Sequence, residues 1–153
     1  MGLLLGIDGK KRAVNINAGV SVSAITTLYV GLLQSAPAGM DGMDLATLVG
    51  AGQGNEFTIG ATFYASPGRK AITMGTVAAD ASGAIIYNNN VSPVEWTNTT
   101  GSTVNIAGIF ITDAASGTSG QVLWVGTPDA GTASIGNTLK ASIAANDLIL
   151  KVD

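Results

Sequence analysis

Apolar and polar residues alternate with period two along much of this chain, which is the signature of half-buried strands rather than of helices. Val14, Ile16 and Ala18 alternate with Asn15 and Asn17, and Val20, Val22 and Ala24 alternate with Ser21 and Ser23, predicting strands over both stretches. Leu28-Tyr-Val-Gly-Leu-Leu33 is a continuous apolar run suited to a strand buried on both faces. Gly31 inside it predicts a bulge or a close backbone approach. Shorter strands are predicted at Phe57–Ile59, Thr62–Ala65, Lys70–Met74, Ala84–Tyr87 and Val94–Thr97, each bounded by Gly, Pro, Asn or Asp. Thr103–Thr112 and Gln121–Val125, joined by the Gly/Ser-rich turn Ala114–Gly120, predict a hairpin. Thr138–Ile143 and Leu148–Val152 close the chain, with Asn146-Asp147 turning between them.

One helix is predicted. In Asp41–Val49, Asp44 can cap a short turn that places Leu45, Leu48 and Val49 on one side, and Gly50-Ala-Gly-Gln-Gly54 stops it. The elements together predict an all-β fold: a single antiparallel β-sandwich or barrel, jelly-roll-like, with at most one short helix. Residues 13–153 form that domain and residues 1–12 an N-terminal arm. In the arm, Leu3, Leu4, Leu5 and Ile7 make an apolar patch that needs a partner, internal or from another subunit.

Composition alters this picture in one respect, the scarcity of charge. At 153 residues the chain suits one domain that buries roughly 70% of its unfolded surface. Charged residues are only 11% against 46% hydrophobic ones, with Gly, Ser, Thr and Asn supplying the polarity. Such a surface suits a molecule packed against copies of itself or a scaffold; the competing reading is an ordinary monomer with a neutral surface. The net charge is −3, and the only basic cluster is Lys10-Lys11-Arg12. Nucleic acid is not an expected partner, because no extended basic footprint is interleaved with aromatic platforms. The triplet reads as a solvated turn after Asp8-Gly9 in preference to an arm gripping an acidic surface. The uncharged stretch Ala13–Met40 is interrupted every few positions by Asn, Ser or Thr, so it does not supply the roughly 20 apolar residues of a membrane span. The start of the chain lacks the basic region and apolar length of a signal peptide, so synthesis in the cytoplasm is expected.

The sequence contains no histidine and no cysteine. Ser-His-Asp and Cys-His nucleophiles, zinc sites of the usual kind, disulfides and imidazole pH sensing are thereby excluded. Gly50-Ala-Gly-Gln-Gly-Asn55 is half a dinucleotide fingerprint, with Asn55 in place of the third glycine and no βαβ context, and reads as a loop. Asp41, Asp44 and Glu56 offer oxygens to a hard cation but lack the spacing of a dedicated loop, so capping and turn formation are preferred. Glu95 and Asp113 are the carboxylates a glycan hydrolase would need, with Trp96 or Trp124 as sugar platforms; the tryptophans read more readily as core. Asn90-Val-Ser92 and Asn98-Thr-Thr100 match the glycosylation sequon by chance. No catalytic residue, metal site or cofactor is expected.

From Leu28-Tyr-Val-Gly-Leu-Leu-Gln-Ser-Ala-Pro37 onward the chain resembles a family of small tailed-bacteriophage virion proteins. Those chains open with such a strand ending in Ala-Pro, run through an acidic loop to Gly-aromatic-Ala-x-Arg, and continue to a hairpin of the form Gly-Ile-Phe-Asp…Gly-x-Leu-Leu-Trp-x-Gly. The matching residues are Phe63-Tyr-Ala-Ser-Pro-Gly-Arg69, Gly108-Ile-Phe-Ile-Thr-Asp113 and Gly120-Gln-Val-Leu-Trp-Val-Gly126, with Ala144–Asp153 resembling the family's closing strand. Ser66-Pro67-Gly68 is an insertion before the Arg69 position. The resemblance implies a non-enzymatic capsid decoration or cement subunit on the outer surface of the virion head. Its implied partner is the major capsid protein, with neither nucleic acid nor membrane; the low-charge faces and the need to cover edge strands predict copies of itself as well, as trimers. A tail, baseplate or fibre module is the alternative, and a glycan-binding surface module a second one. The residues expected to touch the partner are Leu3, Leu4, Leu5, Ile7, Lys10, Lys11 and Arg12.

Overall fold

A computed structural model describes residues 3–59, 63–65, 68–79 and 86–152. In chain order these form β1 (Leu3–Leu5), α1 (Ile7–Asn17), β2 (Leu28–Leu33), a 3-10 turn (Met40–Gly42), α2 (Leu45–Val49), β3 (Lys70–Ile72), β4 (Ala78–Ala79), β5 (Ile86–Asn89) and β6 (Val94–Thr97). β7 (Val104–Ile106), β8 (Gly108–Thr112), β9 (Val122–Gly126), β10 (Ala133–Ile135), β11 (Lys140–Ile143) and β12 (Ile149–Val152) follow. The fold is all-β and sandwich-like, with every strand pair antiparallel.

A five-stranded sheet, ordered β1-β9-β8-β2-β3, carries apolar side chains on both faces. Val30, Leu32, Ile109 and Ile111 point into one core together with Val94, Trp96, Ile106, Ile143 and Leu148. Leu33, Phe110, Val122 and Val125 point into a second, closed by Leu45 and Leu48 of α2. Burial on both faces is why β2 and β8 read as unbroken apolar runs. Gly31 answers its prediction by close approach and not by a bulge. It pairs in register with Phe110, and any Cβ at that position would run into the Phe110 ring.

One long hairpin, folded at corners, begins in that sheet and continues beyond it. β8 and β9 lie next to its tip, the turn between Thr112 and Val122, and the same two arms continue as β7–β10, β6–β11 and β5–β12. Two buried asparagines make two of the corners. Asn98 donates its side-chain amide to the carbonyls of Ser102 (2.7 Å) and Ile135 (2.8 Å), while its Oδ1 accepts from the Thr100 N–H. Asn90 does the same with the carbonyls of Ser92 and Ala144 and the Leu148 N–H. Opposite them the chain takes the left-handed region at Thr138 (φ 67) and Asn146 (φ 70), so both arms turn together.

The structure departs from the sequence pattern in several places. Residues 14–17 belong to α1 and residues 18–27 are irregular, so no strand forms over Val14–Ala24. The alternation there is not a two-faced burial pattern, because Val14 and Ile16 are 66% and 59% exposed. A second α-helix therefore accompanies the predicted one. Next, Lys10-Lys11-Arg12 is not a turn but the middle of α1, and the boundary drawn at residue 12 falls inside that helix. Residues 3–12 are docked on their own chain: β1 pairs with β9, the buried Gly9 lets α1 approach the Leu123 carbonyl, and Asp8 accepts the Val122 N–H at 2.9 Å. Finally, the strand read over 103–112 breaks at Ala107, whose N–H turns to the Leu33 carbonyl, so β7 belongs to the ribbon and β8 to the sheet.

The predicted α2 forms as expected, with the Asp44 carboxylate accepting the Thr47 N–H at 2.8 Å. Phe57–Ile59 is not a strand; Glu56 makes only an isolated bridge to Leu33. Thr62, Ser66-Pro67 and the first half of the strand read over 84–87 lie outside the described residues.

Candidate interaction surface

The N-terminal segment supplies much of the exposed apolar surface. Seven large hydrophobic residues stand exposed among the described residues, and four of them, Leu4, Val14, Ile16 and Val20, fall within residues 4–20. Leu4 sits on β1, an edge strand, in register with Val125. Strand alternation turns Leu3 into the core, so only Leu4 of the pair faces outward, 64% exposed. Val14 lies in an open groove on α1 with Ile7, Lys10, Lys11 and Asn15. Ile16 borders an apolar cavity of about 370 Å³ between α1 and the sheet, walled by Leu5, Ile25, Leu28 and Trp124.

The seven residues expected to touch a partner thus divide. Leu3 is a core residue, Leu5 and Ile7 are half-buried, and Leu4 is presented to solvent. The three cations have partners of their own. Lys10 Nζ meets Asp41 at 2.5 Å, Lys11 lies 3.6 Å from Asp8, and Arg12 donates to the Ser23 carbonyl at 2.6 Å. Val14, Ile16 and Val20 join Leu4 on the outside, although their alternation with polar residues predicts half-buried strands.

The residues weighed for chemistry do not assemble. Asp41 is held by Lys10, whose hydrogen bond keeps its carboxyl below the usual range, and Asp44 is held below it by the Thr47 backbone N–H. Glu56 is bound elsewhere, so the three do not converge, and no cluster of three carboxylates is placed to hold a metal ion among the described residues. Glu95 pairs with Lys140 at 2.7 Å on the surface, and Asp113 accepts the Gln121 N–H. Trp96 is 2% exposed and donates to the Gly68 carbonyl, which removes it as a sugar platform; Trp124 is half-buried. Gly50–Asn55 is a turn whose Gly54 and Asn55 carbonyls accept from Ser35 and Gln34. Asn90 and Asn98 are fully buried, so neither sequon offers an amide to a sugar.

A buried polar centre pins the hairpin tip, joining Glu56 and Arg69 in a pairing that no local pattern predicts. Arg69 is 1% exposed and grips Glu56 through two nitrogens, Nε at 2.8 Å and Nη2 at 2.7 Å. Its remaining donors reach the carbonyls of Ala114 and Gly117 in the tip, and its guanidinium lies 5.1 Å over the Phe110 ring. The Tyr64 hydroxyl donates to Glu56 and accepts the Leu32 N–H. The two charges match and at least four of the five guanidinium N–H groups have acceptors, the condition for burying an ion pair. Its geometry binds four chain segments and leaves no face for a substrate.

No protein-family model matches this sequence, and no curated protein matches it.

Proposed function

We propose that this chain is a non-enzymatic structural subunit of a tailed-bacteriophage virion, a decoration or cement protein on the outer surface of the head shell. In this reading it is made in the host cytoplasm and assembles as trimers on the major capsid protein. The observation that carries it is the concentration of exposed Leu4, Val14, Ile16 and Val20 on one segment whose cations are already paired within the chain. Covering an aliphatic side chain fully contributes about 1.5–3 kcal/mol, so four of them supply several kcal/mol per copy without any ion pair crossing the interface. Repeated over a shell, interfaces of roughly 1,000 Å² or more per copy add up to a mechanical reinforcement that needs no covalent bond. The resemblance of residues 28–153 to small virion proteins supports the same reading.

The test is the double substitution Val14→Asp/Ile16→Asp, which leaves the core untouched. Purified particles carrying it should lose at least about tenfold of their complement of this protein relative to the major capsid protein, the equivalent of 1.4 kcal/mol per copy. Unchanged occupancy overturns the assigned surface. A wild-type copy number of only a few per particle overturns the shell location in favour of the tail.

A further inference from the structure

We propose that the cleft between the α1–β2 connection and the base of the hairpin tip is a binding site for a single neutral sugar ring. The cleft has a volume of about 320 Å³, at the small end of the range of ligand sites, and its lining includes Arg12, Ser23, Thr26, Tyr29, Asp113 and Gln121. Three features of that lining select the ligand.

First, it holds one cation and one carboxylate and no lysine, so neither a phosphate nor any other strongly charged group finds a matching field. Second, both charged groups are partly committed. Arg12 spends one nitrogen on the Ser23 carbonyl, and Asp113 spends Oδ1 on the Gln121 N–H at 2.7 Å. What remains is one side of a guanidinium and one carboxylate oxygen, which suits single hydrogen bonds to a hydroxyl better than a full ion pair with a zwitterion. Third, Ser23, Thr26 and Tyr29 bring hydroxyls, each both donor and acceptor. A ligand whose own groups both donate and accept, set on adjacent carbons, matches such a wall. The half-buried Tyr29 ring adds an apolar face for the C–H side of a pyranose. The inference is independent of the virion assignment, since none of Leu4, Val14, Ile16 and Val20 lines the cleft; Arg12 alone is shared with the residues expected to touch a partner.

The experiment is ligand-observed and protein-observed NMR on the full chain. The probes are D-glucose, D-galactose, D-mannose, L-rhamnose and N-acetyl-D-glucosamine, with glycine and inorganic phosphate as comparators. At least one sugar should bind saturably at roughly millimolar Kd, as expected of a ligand this small, with shifts centred on residues 23–29 and 113–121. Asp113→Asn keeps the oxygen that accepts the Gln121 N–H and should weaken that sugar at least tenfold, with its melting temperature unchanged; Tyr29→Phe should weaken it less. The proposal is overturned if no sugar saturates, if shifts map elsewhere, if both variants bind as the wild type does, or if glycine or phosphate binds these residues more tightly.

Discussion

Glu56 is the side chain whose neutralisation is expected to cost most, because it is the only counter-charge shown for the buried Arg69. Glu56→Gln keeps the volume and strands the guanidinium, so stability in urea should fall by about 3–5 kcal/mol. Replacing the pair by Arg69→Met/Glu56→Leu should recover most of that loss, because no unmatched charge then remains. A double variant as unstable as the single one would show that the carbonyl bonds to Ala114 and Gly117 matter more than the ion pair. Tyr64, in the same centre, has a hydroxyl pushed far above the ordinary phenol range, first by burial and then by the Glu56 charge. The fold therefore favours its neutral form. An unfolded tyrosine ionises near pH 10, so the stabilisation is complete below about pH 10 and declines as pH rises through and beyond that value. Between about pH 9 and 11, wild-type stability should fall more steeply than that of Tyr64→Phe, by up to about 1.4 kcal/mol per pH unit. Equal slopes would mean that the hydroxyl is not held neutral by the fold.

The corners of the folded hairpin make the elements what they are. A two-stranded ribbon is marginal alone and gains stability only by lying on another layer, which requires it to bend without leaving amides unpaired. Asn90 and Asn98 provide that at two positions, with their side chains replacing ladder bonds where the arms turn. Asn98→Ala removes the side-chain partner of the Ile135 carbonyl and of the Thr100 N–H, while Ser102 keeps the Thr100 hydroxyl, and should cost about 1–3 kcal/mol, lowering the melting temperature by roughly 3–10 °C. A shift no larger than that of an exposed-site control would show the corner to be held by backbone bonds alone.

At the scale of the molecule, at least five basic side chains have partners among the described residues: Lys10, Lys11, Arg69 and Lys140 in ion pairs and Arg12 on a carbonyl. Charge that is scarce in the composition is thus also spent internally. What the molecule offers outward is hydroxyl, amide and aliphatic surface, so recognition by cover of apolar side chains, tested by the Val14→Asp/Ile16→Asp particles, is the mode its exterior favours. No helix among the described residues is long and apolar enough to cross a membrane.

Local pattern by itself determined the antiparallel β-class, the β8–β9 hairpin, the doubly buried β2 and the Asp44-capped turn of α2; whether Gly31 marks a bulge or a close approach is not written in such a pattern. Only the tertiary structure decided three others. Val14, Ile16 and Val20 alternate like a strand, yet Asp8 bonding to Val122 and Gly9 meeting Leu123 make their segment a helix and an exposed loop. Arg69 and Glu56 are 13 residues apart and became a pair only when the hairpin tip closed over them. The sugar cleft joins Arg12 to Asp113 in the same way. Contacts between distant positions leave no period in a single sequence, since the partner that fixes each side chain lies beyond the window in which its pattern is read.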